Sequence, residues 1–143
     1  MDEGWREEMA RFYRELETEL ASAPVSCDGC GRCCRFDEAD HVLYASTLER
    51  LYLAYAGGSP PTETDASEDL LRSGRRCPYQ AKGRCLARAG RTLGCRLFFC
   101  RQCDAEAMDA AERWHRRLKA LHVALGADWD YGPLLPLRET DNA

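Results

Sequence analysis

Apolar residues recur at helical spacing near both ends of the chain. Trp5, Met9, Phe12, Leu16 and Leu20 advance by four, three, four and four positions, the repeat that lines one face of an α-helix. The stripe predicts an N-terminal helix over 2–22, with Asp2 as its N-cap and Pro24 as its stop. Ala111, Trp114, Leu118, Leu121 and Leu125 step by three, four, three and four. They predict a C-terminal helix over 104–126, capped by Asp104 and closed by Gly126. Its acids come early (Glu106, Asp109) and its bases later (Arg113, Arg116, Arg117, Lys119), the order the helix dipole favours. Between the two, Ser46-Thr47-Leu48-Glu49 has the capping-box pattern and opens a third helix, roughly 47–56, ended by Gly57-Gly58.

The remainder is irregular by composition. Residues 37–44 read as a short extended stretch and 58–69 as a loop. A helical turn is expected in 70–76 and another around 86–91. The tail, 127–143, holds Trp129, Tyr131 and three leucines. It is expected to pack back on the domain, with its last few residues frayed. The whole of 1–143 then reads as one domain of mainly α class. A small irregular cysteine-rich core, 25–103, centred on metal, is flanked by amphipathic N- and C-terminal helices. No apolar run reaches the ~20 residues of a membrane span. The first residues are acidic and amphipathic, unlike a secretory signal, so a cytoplasmic location with no membrane partner is expected.

Composition changes this picture through the cysteines. The 143 residues include nine, an odd number that no closed disulfide set accommodates, and disulfides are rare in the cytosol. They are clustered. Cys27, Cys30, Cys33 and Cys34 lie together, and Cys77, Cys85, Cys95, Cys100 and Cys103 form a second group. Metal binding is the reading favoured over disulfides or inert buried thiols. Gly29 and Gly31 permit the tight turns that aim several sulfurs at one point.

Charge is segregated too. Of 20 Lys and Arg, nine fall between Leu70 and Cys103, where no acid occurs: Arg72, Arg75, Arg76, Lys82, Arg84, Arg88, Arg91, Arg96 and Arg101. A basic block of this kind either contacts nucleic-acid phosphates or offsets the thiolates of the same segment. The second reading is preferred, because nearby Arg lowers thiol pKa and the thiolate is the metal-binding form.

Cys27-x2-Cys30-x2-Cys33 places three sulfurs where a curling loop can direct them to one cluster. Cys77 is followed by Pro78, and a C-x2-C-x2-C run with a distant Cys-Pro is the ferredoxin arrangement. Cys34 adjoins Cys33, and adjacent side chains diverge, so it is better placed to reach a second centre. Cys27/Cys30 and Cys100/Cys103 also make two C-x2-C pairs, the pattern of tetrahedral zinc. Nine cysteines permit two four-cysteine centres with one spare, or one centre with structural thiols. The preferred single set is Cys27, Cys30, Cys33 and Cys77.

These motifs resemble the YkgJ-type cysteine-cluster family of zinc- or iron-chelating proteins. Its opening CxxCxxCC stands here as CDGCGRCC, residues 27–34. Its second block stands as Cys77-Pro78-Tyr79, Gly83-Arg84-Cys85, Arg91, then Cys95-Arg96 and Phe98. The resemblance covers about 27–98 and implies Cys27, Cys30, Cys33, Cys34, Cys77, Cys85 and Cys95 as metal ligands, with Cys100 and Cys103 just beyond it. Thr92 replaces a family proline, Ala87-Arg88 an Ile-Tyr pair and Phe99 a second proline; these positions shape the loop and supply no ligand.

Other polar residues have plainer readings. His41 reads as a surface residue, His115 and His122 as boundary residues of the last helix, and Asp37, Glu38 and Asp40 as a solvated loop. No catalytic triad, phosphate loop or HExxH is present, so no catalytic residue is assigned and enzyme activity stays open. The first functional reading is an iron–sulfur protein, with [4Fe–4S] the favoured cluster, in a redox or electron-transfer role with an unidentified redox or protein partner. The alternative is a structural zinc module whose Arg-rich face binds a protein or nucleic-acid partner.

Overall fold

A computed structural model describes residues 3–21, 42–64, 66–97 and 105–137, with side chains of the last segment from Met108 onward. The architecture is mainly helical. Helix α1 spans Gly4–Leu20, strand β1 Tyr44–Ala45, helix α2 Thr47–Gly57 and helix α3 Glu68–Arg72. Strands β2 (Gln80–Ala81) and β3 (Arg84–Cys85) follow, then a 3-10 turn at Arg88–Gly90, helix α4 (Leu93–Leu97), helix α5 (Ala105–Leu125) and strand β4 (Gly132–Pro133). Among the described residues no helix is long and apolar enough to cross a membrane.

The two apolar stripes meet each other. Trp5, Met9, Phe12, Tyr13 and Leu16 of α1 pack with Leu48, Leu93, Trp114 and Leu118 in a first core. Phe12 and Trp114 meet edge to face, centroids 5.4 Å apart. The rim of this core is charge-matched. Glu15 accepts from Arg117, and Glu19 from Arg113, so α1 and α5 run antiparallel. Trp114 Nε1 also donates to Glu19, at 2.6 Å. Burial of Tyr13 lay outside the expected stripe; its hydroxyl reaches a polar hub described below.

Helix ends follow local chemistry. Ser46 and Glu49 form the capping box, and Gly58 closes α2. Glu3, without a side-chain cap, precedes α1 in the place expected for Asp2. At the end of α5, Gly126 takes φ 69°. Its N–H donates to Val123 O and that of Ala127 to His122 O, the Schellman closure that favours glycine.

The tail returns as expected. β4 pairs antiparallel with β1, Tyr44 opposite Pro133 and Ala45 opposite Gly132. Arg50, buried, ties this join by donating to Ala45 O at 2.8 Å and Asp130 O at 3.2 Å. Leu43, Ala45, Leu53, Tyr79, Ala87, Leu134 and Leu135 form a second core. The 3-10 turn approaches α2 backbone to backbone: a Cβ on Gly90 would lie 3.0 Å from Gly57 N and 3.1 Å from Leu53 Cα.

His122 departs from its sequence reading as a boundary residue. It is fully buried. Its Nε2 accepts from Leu48 N at 3.2 Å, and its Nδ1 lies 2.9 Å from Leu118 O. That pairing assigns the neutral tautomer with the proton on Nδ1. The imidazole thereby satisfies an orphan donor in the first turn of α2. Burial lowers its pKa, opposed by the Leu118 hydrogen bond.

Candidate metal centre

Three of the nine predicted ligands, Cys77, Cys85 and Cys95, lie in described segments, and all three are half-buried. Cys27, Cys30, Cys33, Cys34, Cys100 and Cys103 lie outside the described residues, as do His41, the acids 37–40 and Asp104. The three described cysteines come together on one feature, since each packs against the second core.

Local sequence explains each placement. Cys77 opens a turn, its carbonyl accepting from Gln80 N at 3.2 Å. β2 and β3 form a hairpin with Gln80 opposite Cys85. Its two-residue loop is Lys82-Gly83, with φ 52° and 73°, the backbone of a type I′ turn. Cys77 and Cys85 flank Tyr79, whose hydroxyl donates to Gly58 O at 2.7 Å. Burial, and then the two neighbouring cysteines, raise the Tyr79 pKa.

Cys95 sits within α4. Its N–H donates to Thr92 Oγ1 at 3.3 Å, and the Thr92 hydroxyl lies 3.3 Å from Cys95 Sγ. Thr92 is fully buried. The Thr92 side chain thus caps α4 and touches the sulfur.

Two polar hubs fasten the cysteine segment to the helices. The first is Glu49, fully buried. It accepts from Ser46 N and Tyr13 OH, each at 3.1 Å, and from Leu93 N at the start of α4. Burial raises its pKa, while those hydrogen bonds pull it back. Burial, with Glu49 second, holds Tyr13 well above the ordinary phenol range. The second hub is Arg96. It donates to Arg91 O at 2.8 Å, Ala89 O at 3.0 Å and Glu17 on α1 at 3.0 Å, and its guanidinium stacks 4.0 Å from the Tyr13 ring. Arg91 lies 3.7 Å from the same Glu17 oxygen.

Arg91 and Arg96 are therefore ties to α1, a role that charge counting did not reveal. Arg72, Lys82, Arg84 and Arg88 are the exposed bases of the described part of the block. Sequence reasoning also passed over Tyr13 and the second role of Glu49, and read Thr92 only as a residue that shapes the loop. Only the Ser46–Glu49 spacing carried a signal, and it spoke of capping alone.

Among the described residues no group of three or more His, Cys, Asp or Glu side chains lies close enough to hold an ion. Comparison with protein-family models, curated proteins and solved structures finds no match to this chain.

A separate cleft of about 490 Å³ opens between α4 and α5. It is lined by Leu93, Gly94 and Leu97 on one side, by Ala111, Glu112, His115 and Arg116 on the other, and by Tyr131 of the tail.

Proposed function

We propose that this chain is a metal-binding protein that holds an iron–sulfur cluster through cysteine thiolates and works in a redox or electron-transfer-linked role. The observation that carries the reading is the cysteine pattern: Cys27-x2-Cys30-x2-Cys33, with Cys77-Pro78 downstream. The reading is supported by Cys77, Cys85 and Cys95 all packing on one core, half-buried. These are the right donors for iron and sulfide, since thiolate is their ordinary protein ligand. Because those three do not form an ion-holding group among themselves, a centre here draws further ligands from Cys27, Cys30, Cys33, Cys34, Cys100 and Cys103. The resemblance to the YkgJ-type family belongs to the same proposal. A bound cluster would supply one-electron chemistry; the chain supplies the thiolates, the half-buried setting and the rigid ties through Arg96 and Glu49.

The test is a visible spectrum beside elemental analysis on protein purified without oxygen. Iron and sulfide near about four per chain, with a broad band lost on reduction, is the result expected for a [4Fe–4S] protein. Stoichiometric zinc in a colourless protein overturns it.

That second outcome would favour the structural zinc module. Its supporting observation is the exposure of Lys82 and Arg84 at the hairpin and Arg88 beyond it, a basic face of the kind that attracts an acidic protein or nucleic acid. Salt-sensitive binding to RNA or DNA is expected under that reading. Absence of any shift at low salt removes its nucleic-acid form.

A further inference from the structure

The cleft between α4 and α5 is within the size range of small-molecule sites. Leu93 and Leu97 give it an apolar wall, and Tyr131 and His115 an aromatic one. The aromatic wall is braced from behind: His115 stands edge-on to Tyr131 at 4.9 Å and to Trp129 at 5.5 Å, and Trp129 stacks on Tyr131 at 5.3 Å.

Two opposite charges line the cleft. Glu112 and Arg116 stand four apart on α5, in the order that normally pairs along a helix surface. Their neighbours Arg113 and Arg117 are engaged with Glu19 and Glu15 of α1. On α1, Glu8 pairs with Arg11. Yet among the described residues the side chains of Glu112 and Arg116 make no ion pair or hydrogen bond, with each other or elsewhere, although both line the cleft. An open carboxylate and an open guanidinium beside an apolar wall match a ligand with both charges and an apolar body.

We infer that this cleft binds a free α-amino acid with a large apolar side chain. Its ammonium meets Glu112, its carboxylate meets Arg116, and its side chain lies against Leu93, Leu97 and Tyr131. A ligand with one charge leaves one of the two rim groups without its counterpart. The inference is independent of the metal, because none of these groups is a cysteine.

The test is an amide NMR titration of the full purified chain with L-phenylalanine. Saturable shifts are expected at Gly94, Leu97, Arg116 and Tyr131. Glu112→Gln and Arg116→Gln should each weaken binding about tenfold, the loss of one charge-assisted contact. L-phenylalaninamide, lacking the carboxylate, and 3-phenylpropionate, lacking the ammonium, should weaken by a similar factor. Both replaced residues are exposed, and an unchanged circular dichroism spectrum confirms that each variant is folded. No shift by about 10 mM ligand overturns the inference. So does binding of either analogue as tight as that of L-phenylalanine, or shifts that survive both substitutions.

Discussion

The first and second cores are built on different principles. The first is made by periodicity: two long helices bring preformed apolar stripes together, and the charged rim pairs Glu15 and Glu19 with Arg117 and Arg113. The second has short strands, a 3-10 turn and a five-residue helix, with three thiols packed on it. The cysteine segment beside it is held in place by polar groups that reach across the chain: Glu49 to Leu93, Arg96 to Glu17, and Tyr79 to Gly58. A helix face carries its own packing instructions, whereas an irregular segment must be tied by hydrogen bonds and, on the proposed reading, by metal.

The largest effect that would sharpen this contrast is metal removal. Chelation or oxidation of the cysteines should collapse the fold by circular dichroism; a structural zinc site, for scale, can supply ~10–16 kcal/mol. An apo-protein with an unchanged melting curve would leave the second core self-sufficient and sink the contrast.

Leu118→Ala attacks the other side. Leu118 is fully buried in the first core, and its truncation should lower unfolding free energy by about 2–5 kcal/mol in a denaturant titration. A change below the measurement error would mean that the helical interface is not close-packed.

Glu49→Gln tests the tie of α4, which carries Cys95, to α2. The amide keeps one acceptor oxygen but points an NH2 at a backbone donor, so a loss of about 1–3 kcal/mol is expected. Thiol labelling of Cys95 should quicken by more than Trp114 fluorescence shifts. Equal changes in both would show that the effect of this tie is not local to α4.

The smallest effect concerns pH. His122 is buried neutral with its pKa below the ordinary 6.5, so the unfolded chain takes up this proton first. Its contribution therefore makes stability decline as pH falls below about 6.5. Glu49 acts oppositely: its raised pKa makes stability fall as pH rises above the ordinary 4.5. Comparing the native chain with His122→Gln isolates the first slope. Identical pH profiles in the two proteins would contradict the neutral clasp on Leu48.

Legibility in the sequence followed the same division. α1, α2 and α5 were readable because their signals are local: a stripe, a capping box, a closing glycine. The tail's return was readable from Trp129 and its leucines, but not its pairing with β1, which joins Tyr44 to Pro133. At the candidate centre, spacing picked out the cysteines, but not the hairpin that ends in Cys85. The hubs were hidden because their partners are remote, Leu93 lying 44 positions from Glu49 and Glu17 lying 79 from Arg96. Arg96 looked like one base among nine, and nothing nearby distinguishes the one that is buried. Thr92 was read as a substitution in a loop, since its contact with Cys95 depends on α4 forming.

The meeting of Gly57 with Gly90 bears on how this arrangement could be recognised elsewhere. A contact between bare backbones leaves no trace in a hydropathy profile, and it places no demand on exposed Arg88 and Ala89. What it demands is smallness at two distant positions at once. A related chain could replace every surface charge of the basic segment and still keep this seam. Gaining a side chain at Gly90 would require the turn to move off α2. Paired small residues, one at the close of a capped helix and one just before a cysteine-bearing turn, are therefore a better search signature than the arginines.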